Sequence, residues 1–380
     1  MRILVITYEF PPIGGGGGHA ARDLCHELVR RKHEVLVLTS HYQGLPHREN
    51  NQGIQVMRIP AARRLPYKAD LLTMSTFVLS GLFHGDRTVR SWKPDILHVH
   101  FAVPSGPIAW ALSHLHKKPY VLTAHLGDVP GGVPEKTGRW FRFIQPFTPP
   151  IWRDAARVVA VSEYTRRLAM QRYPVEVRVI PNGVDLRSLD PGEIRLNHPP
   201  RIIFAARFMQ QKNPLQVIRT LAALKHLDWE CDMIGDGPLR AAVEQEIARC
   251  GLEDRIQLPG WVSPEVVIDD FSRGDILFMP SYSEGLPVVG VQSVAMGLAI
   301  VASNVGGLID LVENGKNGFL IELGQMEKFE TALETLLSDP TLLYECRLAS
   351  HRKARSFDIY PITSAYEEVF SQALKSPRAG

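Results

Sequence analysis

Short unbroken runs of Val, Ile and Leu recur along the chain, each followed by a stretch with helical spacing. Continuous apolar runs imply strands buried on both faces, and so a parallel sheet with helices packed on each side. Strands are expected at residues 3–7, 35–39, 54–59, 96–99, 120–123, 157–161 and 177–180, with helices between them, as at 20–31 and 108–116. The alternation then restarts at 201–205, 230–234, 255–258, 276–279, 299–302 and 318–321. The join, 186–199, is polar, holds Pro191, Gly192 and Pro199, and reads as a linker. A chain of 380 residues is too long for one ordinary core. The reading is therefore two doubly wound α/β domains, 1–185 and 200–360, with a final helix at about 361–380.

Composition removes several classes. Hydrophobic residues at 45% and charged residues at 22% describe a globular chain. A net charge of +3 gives no electrostatic case for nucleic acid. Cys25, Cys231, Cys250 and Cys346 are scattered without a CxxC, which reads as reduced cytosolic thiols. The opening MRILVITYEF runs straight into a strand and loop, so no signal peptide is expected. No apolar run reaches the ~18–20 residues of a membrane helix; the longest candidate is 71–83. A cytoplasmic protein is expected, with a peripheral position on the inner face of the membrane as a further expectation.

The most informative stretch is SEGLPVVGVQSVAMG, residues 283–297. It joins two buried strands through an apolar helix with Pro287 near its first turn. Backbone N–H groups from Gly285, through Leu286 and Val288, to Val289 then lie at a helix N-terminus, a site suited to a phosphate. A carboxylate there would repel that phosphate, so Glu284 is free to hold a hydroxyl of an attached sugar. Other strand-end loops carry similar chemistry, since ligands of doubly wound sheets sit at the C-terminal strand ends. YEFPPIGGGGGHA (8–20) offers backbone amides in a glycine run. LTAHLGD (122–128) places His125 and Asp128 beside one cleft, and His98 and His100 alternate onto one face of a strand. AARFMQQKNP (205–214) supplies Arg207 and Lys212 to clamp a diphosphate. MIGDGP (233–238) is a tight turn with Gly235 and Gly237, and LPGWV (258–262) follows a further strand. The glycine run 14–18 is weakly like a dinucleotide fingerprint, but no acidic residue closes the second strand at Thr39–Ser40, which argues against a nicotinamide dinucleotide.

Taken in order, these stretches resemble the family-4 retaining glycosyltransferases, enzymes of GT-B fold. The resemblance implies two Rossmann-like domains facing across a cleft, with the last helix crossing back to the first domain. It implies transfer of a hexosyl unit from a nucleoside-diphosphate sugar to a hydroxyl acceptor, with retention and without a metal or other cofactor. The acceptor would be a glycan, glycolipid or lipid-linked intermediate of cell-envelope or polysaccharide synthesis. His125, Arg207, Lys212 and Glu284 take the catalytic positions. Gly15, Gly16, Gly235, Gly237, Trp261, Val262, Gly285, Leu286, Pro287 and Val288 fall on the donor side, and His100 and Asp128 on the acceptor side. The family pattern has a second Glu eight residues after the first; here it is Gln292. Gln keeps one acceptor oxygen and loses the charge, so weaker ribose binding is expected. Asp310 likewise stands where the family's GG-x-x-E stretch has Glu.

Alternatives weighed are a GT-B nucleotide-sugar epimerase or hydrolase and, because of Gln292, a weakly active nucleotide-sugar binder. Residues 61–83, with Arg63, Arg64 and Lys68, and 138–153, with Trp140, Phe141, Phe143, Phe147 and Trp152, mix basic and apolar side chains in a way that suits an anionic membrane surface. Donor base, donor sugar, acceptor and oligomeric state are not legible in the sequence.

Overall fold

The computed structural model describes residues 1–65, 69–133 and 141–375. The chain divides into two compact units, Met1–Gly183 with Ile359–Gly380, and Val184–Asp358. In the first unit the strands are β1 (Arg2–Ile6), β2 (Glu34–Ser40), β3 (Arg48–Asn51), β4 (Ile54–Ile59), β5 (Ile96–His100), β6 (Tyr120–Ala124), β7 (Arg157–Ala160) and β8 (Val177–Val179). They form one sheet in the order β3-β4-β2-β1-β5-β6-β7-β8. All pairings are parallel except β3 with β4. That antiparallel edge strand, RENN, has no apolar run to mark it in the sequence; it is short, polar and at most half-buried.

Helices cover both faces of this sheet: α1 (Gly16–Arg30), α2 (Leu71–Trp92), α3 (Gly106–His116), α4 (Phe141–Ile144), α5 (Pro149–Arg153) and α6 (Glu163–Arg172). Because successive strand residues point to opposite faces, Leu4 and Ile6 join the core under α2, α3 and α5, while Ile3 and Val5 join the core under α1. The second of these cores is completed from the far end of the chain by the terminal helix, Ile359–Lys375, through Ile362, Tyr366 and Phe370. Glu367 of that helix accepts from Arg31 Nη1 at 2.6 Å and meets His33 Nε2 at 2.7 Å.

The second unit repeats the plan: β9 (Arg201–Ala205), α7 (Pro214–Ala223), β10 (Glu230–Ile234), α8 (Arg240–Cys250), β11 (Ile256–Gly260), α9 (Pro264–Ser272), β12 (Ile276–Met279), α10 (Val288–Ala295), β13 (Ala299–Ser303), α11 (Leu308–Leu311), β14 (Gly318–Ile321), α12 (Met326–Ser338) and α13 (Pro340–Lys353); the terminal helix is α14. The six strands are ordered β11-β10-β9-β12-β13-β14 and are all parallel. Chain direction across the sheet reverses between β9 and β12, and in the first unit between β1 and β5; such switch points open a crevice at the C-terminal strand ends.

The segment read as a linker is packed rather than loose. Ile194 is buried, Asn197 binds Asp275, and the Arg195 carbonyl accepts from Arg347 Nη1 at 2.6 Å. Arg347 and Asp275 form a buried ion pair beneath it. Among the described residues no helix is long and apolar enough to cross a membrane, although the run that begins at Leu71 continues as a helix to Trp92.

Phe370 is fully buried between α14 and the sheet, so Phe370→Ala should destabilise the first unit by about 3–5 kcal/mol. Urea unfolding followed by tryptophan fluorescence checks this; an unchanged midpoint would mean that α14 is not part of that core.

Candidate functional site

In the second unit the loops after β9 and β12 meet at the switch point. Glu284 lies in the β12–α10 loop with 4% of its surface exposed. Its Oε1 accepts from Lys212 Nζ at 2.6 Å. Two further bonds lace the loops together: Gln211 Nε2 donates to the Ser283 carbonyl at 2.8 Å, and Tyr282 N–H to the Gln211 carbonyl at 2.8 Å. The Glu284 backbone is fixed from the other side. Its carbonyl accepts from Gly307 N–H at 2.9 Å. A Cβ at Gly306, whose φ is +55°, would lie 1.8 Å from that same oxygen, and one at Gly307 would lie 1.6 Å from the Gly285 carbonyl. Two glycines therefore occur in succession because backbone lies on backbone there.

Arg207 lies half-buried in the β9 loop, five residues before Lys212. Gly235 and Gly237 serve that loop. A Cβ at Gly235 would sit 2.0 Å from the Ala206 carbonyl, and Phe208 N–H donates to the Asp236 carbonyl at 2.9 Å. Helix α10 begins at Val288 behind Pro287, with Leu286 buried and Gly285 half-buried before it. Gln292 is half-buried on α10, and Asp310 lies in the first turn of α11. Trp261 is 63% exposed and Val262 half-buried just beyond β11. Lys212 and Glu284 thus form an ion pair between the β9 and β12–α10 loops.

The first unit gathers a different set. His100 ends β5 and is buried; His125 follows β6 and is half-buried. His100 Nδ1 and His125 Nε2 are 2.9 Å apart. Asp128 joins the two loops: Oδ1 accepts from His125 N–H at 2.9 Å and Oδ2 from Ala102 N–H at 2.6 Å. Phe101 and Leu126, in the same loops, hold φ of +70° and +84°. Left-handed conformations at bulky residues cost of order 1–3 kcal/mol and persist where neighbours impose them; Asp128 binds the residue next to each of them, Ala102 and His125. The Phe101 and His125 rings lie 4.4 Å apart between centroids.

Gly16 opens α1, with Gly15 before it. The Gly15 N–H donates to Glu9 Oε2 at 3.0 Å, which fixes the start of this loop. Glu9 and Phe101 in the first unit were not singled out by the sequence; in the second unit the GG of the GG-x-x-E stretch was, but its packing on the Glu284–Gly285 peptides, remote in the chain, was not.

Two family models together span most of the chain. Residues 14–188 match "Glycosyltransferase Family 4" and residues 190–355 match "Glycosyl transferases group 1". The chain belongs to the family-4 glycosyltransferases. It is 23% identical to glycogen synthase of Mycobacterium tuberculosis, over 100% of this chain and 96% of that one. In fold it is similar to sucrose-phosphate synthase from Thermosynechococcus elongatus (TM-score 0.85, 18% identity, 98% of both chains). It is also similar to HepE of Anabaena in complex with UDP and glucose (TM-score 0.76, 19% identity, 98% of this chain and 99% of that one). The two parallel-sheet units are those of a GT-B glycosyltransferase, an enzyme class that uses sugar-nucleotide donors.

Burial pushes the Asp128 carboxyl of this glycosyltransferase up to about 6, and the backbone donors of Ala102, His125 and Asp128 itself offset only part of that rise. The folded value lies above the ordinary ~3.9. The folded chain therefore holds more protons than the unfolded chain between about pH 4 and 6. This group's contribution to stability is fully present below pH 4 and is lost as pH rises through 6. Asp128→Asn should flatten that part of the stability–pH curve, as read from urea midpoints between pH 4 and 7; an unchanged slope would contradict the assignment.

Proposed function

We propose that this glycosyltransferase moves a hexosyl unit from a nucleoside-diphosphate sugar to a hydroxyl acceptor with retention at the anomeric carbon and without a metal ion. The observation that carries the proposal is the buried Glu284 paired with Lys212 at the switch point of the second unit. Lys212, Arg207 and the amides that open α10 supply positive charge for a leaving diphosphate, and stabilising developing charge is where such a site gains most. Glu284, with one oxygen taken by Lys212, keeps acceptor capacity for a hydroxyl of the donor sugar. The acceptor hydroxyl attacks the anomeric carbon on the face the diphosphate leaves, and the departing phosphate oxygen takes its proton. His125 and Asp128 belong to the acceptor side of this scheme.

The surface around α2 supports a lipid-linked acceptor at an anionic membrane. Leu72, Leu79 and Phe83 recur seven and four residues apart, so they form one stripe, and they are 50%, 69% and 54% exposed. Arg87 stacks on Phe83 with 4.1 Å to the ring centroid, and Phe143 and Phe147 are also exposed. Two residues read as part of that surface belong elsewhere. Arg63 is buried and donates to Ser40 Oγ and the Tyr8 carbonyl, and Trp152 is fully buried against Tyr173. Lys68, Trp140 and the side chain of Phe141 lie outside the described residues.

Glu284→Gln is expected to lower turnover of a nucleotide sugar by about ten- to a hundredfold, the range of one hydrogen bond to a charged group. The same change should leave nucleoside-diphosphate affinity equal or higher, because a negative charge beside the phosphates is gone. A panel of UDP-, ADP- and GDP-sugars assayed for turnover, with the diphosphates titrated by calorimetry, tests both; loss of diphosphate binding with turnover intact would reverse the roles. Gln292→Glu should tighten donor binding by about tenfold through a charge-assisted bond to ribose hydroxyls; an unchanged or weaker titration removes Gln292 from the nucleotide site. Vesicles of anionic lipid should sediment the protein at low salt, and Leu79→Ser with Phe83→Ser should release it; equal recovery with neutral vesicles would exclude the anionic surface.

A further inference from the structure

His125 is held by a second histidine, and the pair permits only two arrangements of protons. His100 Nδ1 faces His125 Nε2 at 2.9 Å. The other nitrogen of His125, Nδ1, is turned toward the first turn of α1, 3.3 Å from where a Cβ of Gly17 would lie. The other nitrogen of His100, Nε2, is buried with no hydrogen-bond partner. Behind it stand His98, with 4.3 Å between ring centroids, and Tyr366, which reaches Thr123 Oγ1 at 3.3 Å; Thr123 in turn meets His98 Nε2 at 2.9 Å. Burial drives His98 and His125 down to about 3 and His100 well below its ordinary value, so all three rings are uncharged at neutral pH and each carries one N–H.

If His125 donated through Nε2, the proton of His100 would have to sit on its own Nε2, a buried N–H facing no acceptor. Orphaned buried donors are rarer than orphaned buried acceptors, and each costs about 1–3 kcal/mol. If instead His100 donates through Nδ1, its Nε2 is a bare lone pair, and the single proton of His125 sits on Nδ1. We infer that His100 is a positioning residue that fixes the tautomer of His125, so that His125 presents Nδ1–H as a hydrogen-bond donor to an oxygen of the bound sugar and does not act as a proton acceptor. The sugar half of this statement rests on the proposed transferase function; the tautomer half does not. It assigns a chemical reason to the HVH string of β5: His100, two residues after His98 and on the same face, reaches across to the next strand end.

The tautomer is read without substrate. In protein labelled with ¹⁵N at histidine, a long-range ¹H–¹⁵N correlation spectrum distinguishes a protonated from a bare ring nitrogen, with the His125 signals assigned by their loss in His125→Asn. The expected result is Nδ1–H and bare Nε2 for His125 in the wild type. His100→Phe, which fills the space without a donor, should release His125 to mixed tautomers. His100→Gln, whose side-chain amide can donate to Nε2, should keep the Nδ1–H form. With whichever nucleotide sugar the wild type uses, His100→Phe should lower kcat by about tenfold with KM little changed, and His100→Gln should recover most of the loss. A wild-type His125 protonated at Nε2 would overturn the inference, as would equal loss in His100→Phe and His100→Gln at matched thermal stability. If no nucleotide sugar is turned over, the transferase reading fails while the spectrum still decides the tautomer.

Discussion

The ion pair between Lys212 and Glu284 is the interaction on which the second unit's site depends. A buried carboxylate is costly unless paired, and a lysine stem is flexible unless its ammonium is tied. At 2.6 Å each group answers the other's need. The pair is not free to drift, because Gly306 and Gly307 lie flat against the Glu284–Gly285 peptides and Gln211 ties the lysine's loop to Ser283. Strands β9 and β12 are neighbours in the sheet although far apart in the chain, and that adjacency is what brings the two loops together. Topology thus does for these side chains what no local sequence feature does.

The first unit solves a different problem with different chemistry. Its polar groups include three uncharged imidazoles, a threonine and a tyrosine in a chain of contacts, and two carboxylates, Asp128 and Glu9, that accept from backbone amides. Two left-handed, non-glycine residues, Phe101 and Leu126, lie in the loops that Asp128 joins through Ala102 and His125. The paired charges of the second unit and the uncharged imidazoles of the first are different chemical settings. Environment rather than residue type separates the two.

Much of this was legible in the chain. Five strands or more could be read within a residue or two because both faces of a central parallel strand are apolar, as in RIIFA and ILFM. The loops with chemistry were legible because glycines and charged residues follow those strands directly. Three things were not. RENN carries no apolar pattern, since an edge strand is satisfied by backbone pairing alone. Arg63 reads as surface charge, and only its contacts with Ser40 and Tyr8 reveal a buried brace. The pairings of Lys212 with Glu284 and of His100 with His125 join residues separated by 72 and 25 positions, and no spacing rule connects them.

The central claim is that Lys212 and Glu284 act as one unit toward a nucleoside diphosphate. A double-mutant cycle measures this directly: diphosphate affinity by calorimetry for the wild type, Lys212→Ala, Glu284→Ala and the double variant. The expected coupling energy is above about 1 kcal/mol, with Glu284→Ala changing affinity when Lys212 is present and not in the Lys212→Ala background. Effects that add to within about 0.5 kcal/mol would contradict it.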